Sequence, residues 1–329
     1  MPERQLDRAA VVAATQEAAA LAFASWREGA AADTHVWDKG KNNPVSDIDM
    51  AVDAFLTTKL RAILPEAAWL SEESADDPSR LNARLLWLVD PIDGTTLTSL
   101  GRGNALSVIA VSERGSMFNP GPCVYMDKIA VGPEAAHAVD LDWTPTKNLQ
   151  EVARATKKLV SELTVMILER DRHNDLIAEV RSTGARIRLI SDGDIFAAIA
   201  AASPEVGVDI LFGIGGTPEG VVAAAALKAM GGEIIGRLHA RDDAERKAAE
   251  DAGYDLNKVL TTDDLISGED IFFAATGVTD GELLRGVRYD AYGARSHSLV
   301  MRSRSGTIRY IDTHHRHDRL AAYSSTDSK

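Results

Sequence analysis

A layered α/β architecture is predicted for this chain by three observations. Apolar runs of strand length alternate with Ala-rich or amphipathic stretches of helix length. Gly and Pro punctuate the whole length, and no repeat of about 20 to 50 residues or low-complexity linker interrupts it. The chain has 329 residues and is 45% hydrophobic, which is ample for buried cores. At about 150 residues per domain, that length predicts two units. A composition shift near Asp142 to Asn148 (DWTPTKN) places their boundary between residues 1–145 and 146–329.

The elements follow in order. Leu6 to Arg27 is Ala-rich and predicts a helix on propensity. A second helix starts at Ser46, with Asp49 in the capping-box place. Its apolar face is Ile48, Ala51, Val52, Phe55, Leu56, Leu60 and Ile63, and Pro65 closes it. The run Leu85 to Val89 predicts a buried strand that ends at Asp90-Pro-Ile-Asp93-Gly-Thr95-Thr. Further strands are expected at Leu106 to Val111, Val124 to Val131, Leu163 to Leu168, Ile187 to Ile190 and Val208 to Phe212. The last are Ile271 to Ala274, Leu299 to Arg302 and Thr307 to Ile311. Helices are expected between them at His173 to Arg181, Ile195 to Ala202, Gly220 to Met230 and Ala240 to Asp251. Such interleaving argues for stacked sheets and helices.

Composition narrows the function classes. The net charge is −13, which repels nucleic acid and anionic membrane, so neither is an expected partner. No window of about 18 apolar residues predicts a spanning helix. The first residues, MPERQLDRAA, do not look like a secretory signal, and the one cysteine, Cys123, fits a reducing cytoplasm.

The chemistry concentrates after the strand at Leu85. Asp90 and Asp93 are delivered three residues apart to a strand tip. Pro91 stiffens the turn, Gly94 permits close backbone approach, and Thr95 and Thr96 can open a helix whose N–H groups suit a phosphate oxygen. Two adjacent carboxylates repel each other unless a cation lies between them. Oxygen ligands suit Mg²⁺ or Mn²⁺. Glu72, in Ser71-Glu-Glu-Ser74, offers a third acid, and Asp49 a fourth. Such a set suits metal-assisted hydrolysis of a phosphate ester.

These residues carry a double resemblance. Asn43-Pro-Val-Ser-Asp-Ile-Asp49, Trp69-Leu-Ser-Glu72-Glu-Ser and Trp87-Leu-Val-Asp90-Pro-Ile-Asp93-Gly-Thr-Thr resemble the inositol monophosphatase family. From Asp90 to near Leu320 the chain resembles class II fructose-1,6-bisphosphatases. That likeness rests on Gly103-Asn-Ala-Leu-Ser-Val, Tyr125-Met-Asp-Lys-Ile-Ala-Val-Gly-Pro, Arg172-His, Asp192-Gly-Asp194, Phe212-Gly-Ile-Gly-Gly-Thr-Pro-Glu219-Gly and Gly236-Arg-Leu-His-Ala-Arg. Both families share a layered αβαβα sandwich. The resemblance implies a cytoplasmic phosphatase of central carbon metabolism that hydrolyses fructose 1,6-bisphosphate with two or more Mg²⁺ or Mn²⁺ ions. It implies metal ligation by Asp49, Glu72, Asp90, the Ile92 carbonyl, Asp93 and Glu219. Thr95, with Asp49 and Glu72, would serve the attacking water. Substrate contacts implied are Asp93, Gly94, Thr95, Tyr125, Arg170, Asp171, Arg172, Asp192, Gly193, Asp194 and Gly216. A homo-oligomer is the expected assembly.

The chain departs from both patterns. Asp93 stands where the bisphosphatases usually carry Glu, Ser71-Glu-Glu-Ser replaces a Gly-Glu-Gly-Glu loop, and the monophosphatase's C-terminal Trp-Asp motif is absent. An inositol- or nucleotide-type monophosphatase and a catalytically silent binding protein are the alternatives.

Overall fold

A computed structural model describes residues 7–23, 36–38, 44–71, 73, 83 and 85–316. Helix α1 is Arg8–Phe23; Leu6 and residues 24–27 of the expected helix lie outside the described residues. Strands β1 (Val36–Asp38) and β2 (Pro44–Ser46) form a small antiparallel pair that leads into α2 (Asp47–Ile63). The α2 capping box forms as expected between Ser46 and Asp49. Ile48, Val52, Leu56 and Leu60 are buried, whereas Ala51, expected on the same face, is exposed.

The remaining strands build two sheets. The first runs β12 (Arg288–Asp290), β13 (Gly293–Arg302), β11 (Phe272–Gly277), β5 (Leu106–Glu113), β4 (Leu85–Asp93), β3 (Ala67–Ser71), with β14 (Thr307–Arg316) also paired to β13. The second runs β10 (Glu233–His239), β6 (Tyr125–Val131), β9 (Ile210–Gly216), β7 (Thr164–Leu168), β8 (Arg186–Ile190). Residues on both sides of position 145 therefore contribute to each sheet.

The layers follow from which face each strand turns to which helix. On β4 and β5, Trp87, Val89, Ile109 and Val111 pack on α1 and α2. Leu88, Val108 and Ala110 face the other way, onto α6 (Asp194–Ala201) and α7 (Thr217–Met230). Met126, Ala130, Met166 and Leu211 of the second sheet close on those same two helices from the far side. Ile129, Val165, Ile167 and Phe212 point outward onto α4 (Pro145–Thr156) and α5 (Asn174–Ser182). The stack is helix, sheet, helix, sheet, helix, the αβαβα order expected from the resemblance. The central layer is built for close approach: α6 and α7 are Ala-rich, so two short-side-chain helices fill the gap between the sheets.

Several elements, among them β1, β2, β3, α4, β10 and β12, are not among those expected. Strand β3 ends at the polar Ser71, in a segment that reads as loop. The DWTPTKN boundary segment instead opens α4, with Thr144 as N-cap and Pro145 at the first helical place. Strand β10 carries Gly236 and Arg237, which break its apolar run. Element bounds also move. β4 continues through Asp90 to Asp93, with its register shifting between them. α7 starts at Thr217 rather than at Gly220, so Pro218 holds its second helical place.

Candidate active site

The polar residues singled out by sequence gather where strands end. Asp90 and Asp93 lie at the C-terminal end of β4. Gly216 ends β9, and Tyr125, at the start of the antiparallel β6, is directly opposite it. Asp192 and Gly193 follow β8, and Asp194 opens α6. Arg170 to Arg172 follow β7. In stacked α/β sheets such strand ends are where loops are free to carry chemistry.

Asp49 and Thr95 form the first unit. One carboxylate oxygen of Asp49, Oδ2, accepts from the Ser46 amide at 2.8 Å and from its hydroxyl at 2.5 Å. The other, Oδ1, accepts from the Thr95 hydroxyl at 3.0 Å. The capping box thus serves two ends: it starts α2 and fixes the carboxylate that orients Thr95. Thr95 begins α3 (Thr95–Ser99), entered through Gly94, whose φ of 95° is left-handed and disfavours a side chain. The Thr96 amide, expected among the phosphate-binding N–H groups, already donates to Asp192 Oδ2 at 3.0 Å.

Asp93, Asp192, Asp194 and Glu219 form the second unit. Asp93 Oδ2 accepts from the Phe196 amide at 3.0 Å, near the start of α6. Burial first, and Asp194 second, hold the Asp93 carboxyl well above its ordinary range. Asp192 is raised for the same leading reason, burial. Burial and then Asp194 push Glu219 up to about 7. Two glycines make room for this crowding. A Cβ on Gly216 would overlap the Glu219 carboxylate, and one on Gly215 would overlap Asp194 Oδ2.

Lys128 counters these charges. Its Nζ is 2.5 Å from Asp194 Oδ2 and donates to the Gly216 carbonyl at 2.9 Å, and its side chain is 3% exposed. Sequence reasoning quoted Lys128 only inside a motif. Its signal was a charged residue placed directly before the apolar run Ile129-Ala-Val131. His173 was passed over too. It is buried, with Nδ1 2.7 Å from the Leu168 carbonyl and Nε2 accepting from the Ile214 amide at 2.8 Å. That anchors the Arg170 to Arg172 turn to β9.

The third unit surrounds Tyr125. Arg172 donates through Nε and Nη2 to the Ile214 carbonyl, and its guanidinium carbon is 5.2 Å from the Tyr125 ring centroid. Arg170 and Asp171 are adjacent; Arg170 Nη1 donates to the Glu169 carbonyl.

A cavity of about 180 Å³ adjoins these units, lined by Asp90 and Glu219 together with Ser71, Phe118 and Pro218. Glu72 lies outside the described residues. Among the described residues no three His, Cys, Asp or Glu side chains stand close enough together to hold an ion as they are. The donors present are nonetheless of the right kind. They are carboxylate and carbonyl oxygens, crowded and buried, with Asp93 and Glu219 held back from ionising by burial and then by Asp194. Such a set fits a hard divalent cation, which would relieve that repulsion.

Residues 82–315 match the family model described as bacterial fructose-1,6-bisphosphatase, glpX-encoded. Residues 3–97 match that of the inositol monophosphatase family. The D-fructose 1,6-bisphosphatase class 2/sedoheptulose 1,7-bisphosphatase of Synechococcus sp. (strain JA-3-3Ab) is 42% identical over 243 residues, 70% of each chain. The protein of the same name from Gloeobacter violaceus is 40% identical over 240 residues, 69% of each. Among solved structures, the extragenic suppressor protein suhB from Bartonella henselae superposes with a TM-score of 0.40 at 16% identity, over 59% of this chain and 74% of that one. No helix among the described residues is long and apolar enough to cross a membrane.

Proposed function

The chain belongs to the bacterial, glpX-encoded fructose-1,6-bisphosphatase family, and on that premise we propose that it hydrolyses fructose 1,6-bisphosphate to fructose 6-phosphate and phosphate in the cytoplasm, as a homo-oligomer. The observation that supports this reading most is the neighbourhood of three units at one set of strand ends. Asp49–Thr95 suits an attacking water. The Asp90–Glu219 cavity suits the cleaved phosphate and its cations. Tyr125 with Arg172 suits a second phosphate.

In this reading Asp49 accepts the Thr95 hydroxyl proton, so the Thr95 oxygen turns a lone pair outward and accepts a hydrogen bond from the water. That water attacks phosphorus in line, the bond from phosphorus to the sugar oxygen breaks, and a proton of the water ends on the departing sugar oxygen. Backbone N–H groups of Gly94 and Thr95 hold the equatorial phosphoryl oxygens. Asp192 and Asp194, around Gly193, accept from sugar hydroxyls, and Gly216 lets the sugar lie against the backbone. Arg170 and Arg172, flanking Asp171, pair with the distal phosphate. Mg²⁺ or Mn²⁺ ions, when held by Asp49, Glu72, Asp90, the Ile92 carbonyl, Asp93 and Glu219, would neutralise phosphate charge and acidify the water.

A phosphate-release panel tests the reading. Turnover of fructose 1,6-bisphosphate should exceed that of inositol monophosphate with either Mg²⁺ or Mn²⁺; the opposite ranking would reject it. Sedoheptulose 1,7-bisphosphate, which names the relatives, belongs in the same panel. Thr95→Val is expected to lower kcat by about 10² to 10³ with KM little changed, because the lost group acts on the water rather than on bound substrate. A variant that raises KM and keeps kcat would show that Thr95 only binds.

A further inference from the structure

The geometry points to Arg241 as a further guanidinium for the phosphate that is not cleaved. The inference deepens the proposed bisphosphate reading and rests on it. Tyr125 has two arginines over its ring, not one: Arg172 at 5.2 Å and Arg241 at 5.6 Å from the centroid. The two are tethered alike. Arg172 uses Nε and Nη2 on the Ile214 carbonyl. Arg241 uses Nε on Glu245 Oε2 at 3.1 Å and Nη2 on Oε1 at 3.2 Å. In neither case does Nη1 bond to any described residue.

Glu245 makes the second tether rigid. It is 7% exposed, and it also accepts from the Arg241 amide at 2.7 Å and from the Val124 amide at 3.4 Å. Val124 directly precedes Tyr125, so the clamp fixes Arg241 relative to that ring. It sits at the start of α8 (Asp243–Asp251), capped by Asp242. A purely structural ion pair would need only the Glu245 contact. Here two tethered guanidiniums, each with an Nη1 that bonds to no described residue, converge on one aromatic ring opposite Gly216. A phosphate dianion is the ligand class that takes hydrogen bonds from two such groups at once. Each cation–π contact with Tyr125 engages a guanidinium without using its N–H donors.

The test compares substrates that do and do not carry the second phosphate. In Arg241→Gln, the ratio of kcat/KM on fructose 1,6-bisphosphate to that on fructose 1-phosphate is expected to fall about tenfold or more, as for a lost charged hydrogen bond. Arg241→Lys, which keeps the charge but not the fork, should lose part of that ratio. Equal losses on both substrates, in both variants, would overturn the inference and leave Arg241 a structural residue. Fructose 6-phosphate binding by calorimetry, without turnover, gives a second reading. It should weaken about tenfold in Arg241→Gln, and an unchanged Kd overturns the inference. A wild-type protein that binds fructose 6-phosphate through Arg241 yet releases no phosphate from the bisphosphate would support Arg241 while sinking the proposed reaction.

Discussion

Asp90→Asn is expected to lower phosphate release from fructose 1,6-bisphosphate by about a thousandfold or more, while the protein stays folded. Asp90 is 5% exposed at the end of β4, and it lines the same cavity as Glu219. Asn has nearly the same shape, so the strand end keeps its packing. The amide removes one negative charge from a crowded set of acids, so the melting temperature without added ion should hold or rise. What is lost is an anionic oxygen for a hard cation. Thermal melts with and without Mn²⁺ separate the two effects. The wild type should gain stability on adding the ion, because a ligand bound to the folded state alone shifts the equilibrium, and Asp90→Asn should gain much less. Turnover at the wild-type rate would remove Asp90 from the metal assignment.

The parts of this site that the sequence made legible share one property: each is local. The strand Leu85 to Val89 is a continuous apolar run, and the acids that follow it are read off directly. The Ser46–Asp49 capping box is a four-residue pattern, and it forms as read. Local patterns alone did not reveal that Asp49 reaches Thr95, which only the resemblance implied, because that bond joins α2 to the start of α3 through the fold. The same holds for Lys128 and Asp194, which lie on β6 and α6, and for Arg241, which meets Tyr125 across the β6–β10 pairing. In each case the residue was visible and its partner was not.

Misreadings arose where one local signal has two meanings. Thr144-Pro145 belongs to the composition shift read as a boundary, and the same pair is an N-cap followed by a first-turn proline that opens α4. Asp90-Pro-Ile-Asp93 reads as a turn, yet β4 runs through it with a register shift. That shift has a consequence for chemistry. Asp90 faces the cavity shared with Glu219, while Asp93 turns to the start of α6 and to Asp194. Acids three residues apart in the chain thus serve different sides of the site.

The second large effect is expected at Lys128. Lys128→Met keeps the apolar stem that packs on the Ala-rich central layer but removes the ammonium. Asp194 then stays buried without its ion-pair partner, and the Gly216 carbonyl loses its donor. Breaking one side of a buried pair costs about 3–5 kcal/mol, mostly because the remaining charge is stranded. The cost should grow with pH, and the sign follows from Glu219. Its carboxyl is already pushed up to about 7, with Lys128 among the groups that pull it down. Without the lysine it rises further. A carboxyl whose folded-state value is raised gives up stability as pH climbs from its unfolded value through the folded one. The deficit of Lys128→Met against wild type should therefore be larger at pH 8 than at pH 6 in chemical denaturation without added ion. Lys128→Met/Asp194→Asn should recover part of it, because the stranded charge is gone. A deficit that does not change with pH, or a double variant no more stable than the single one, would mean that Lys128 contributes packing rather than charge.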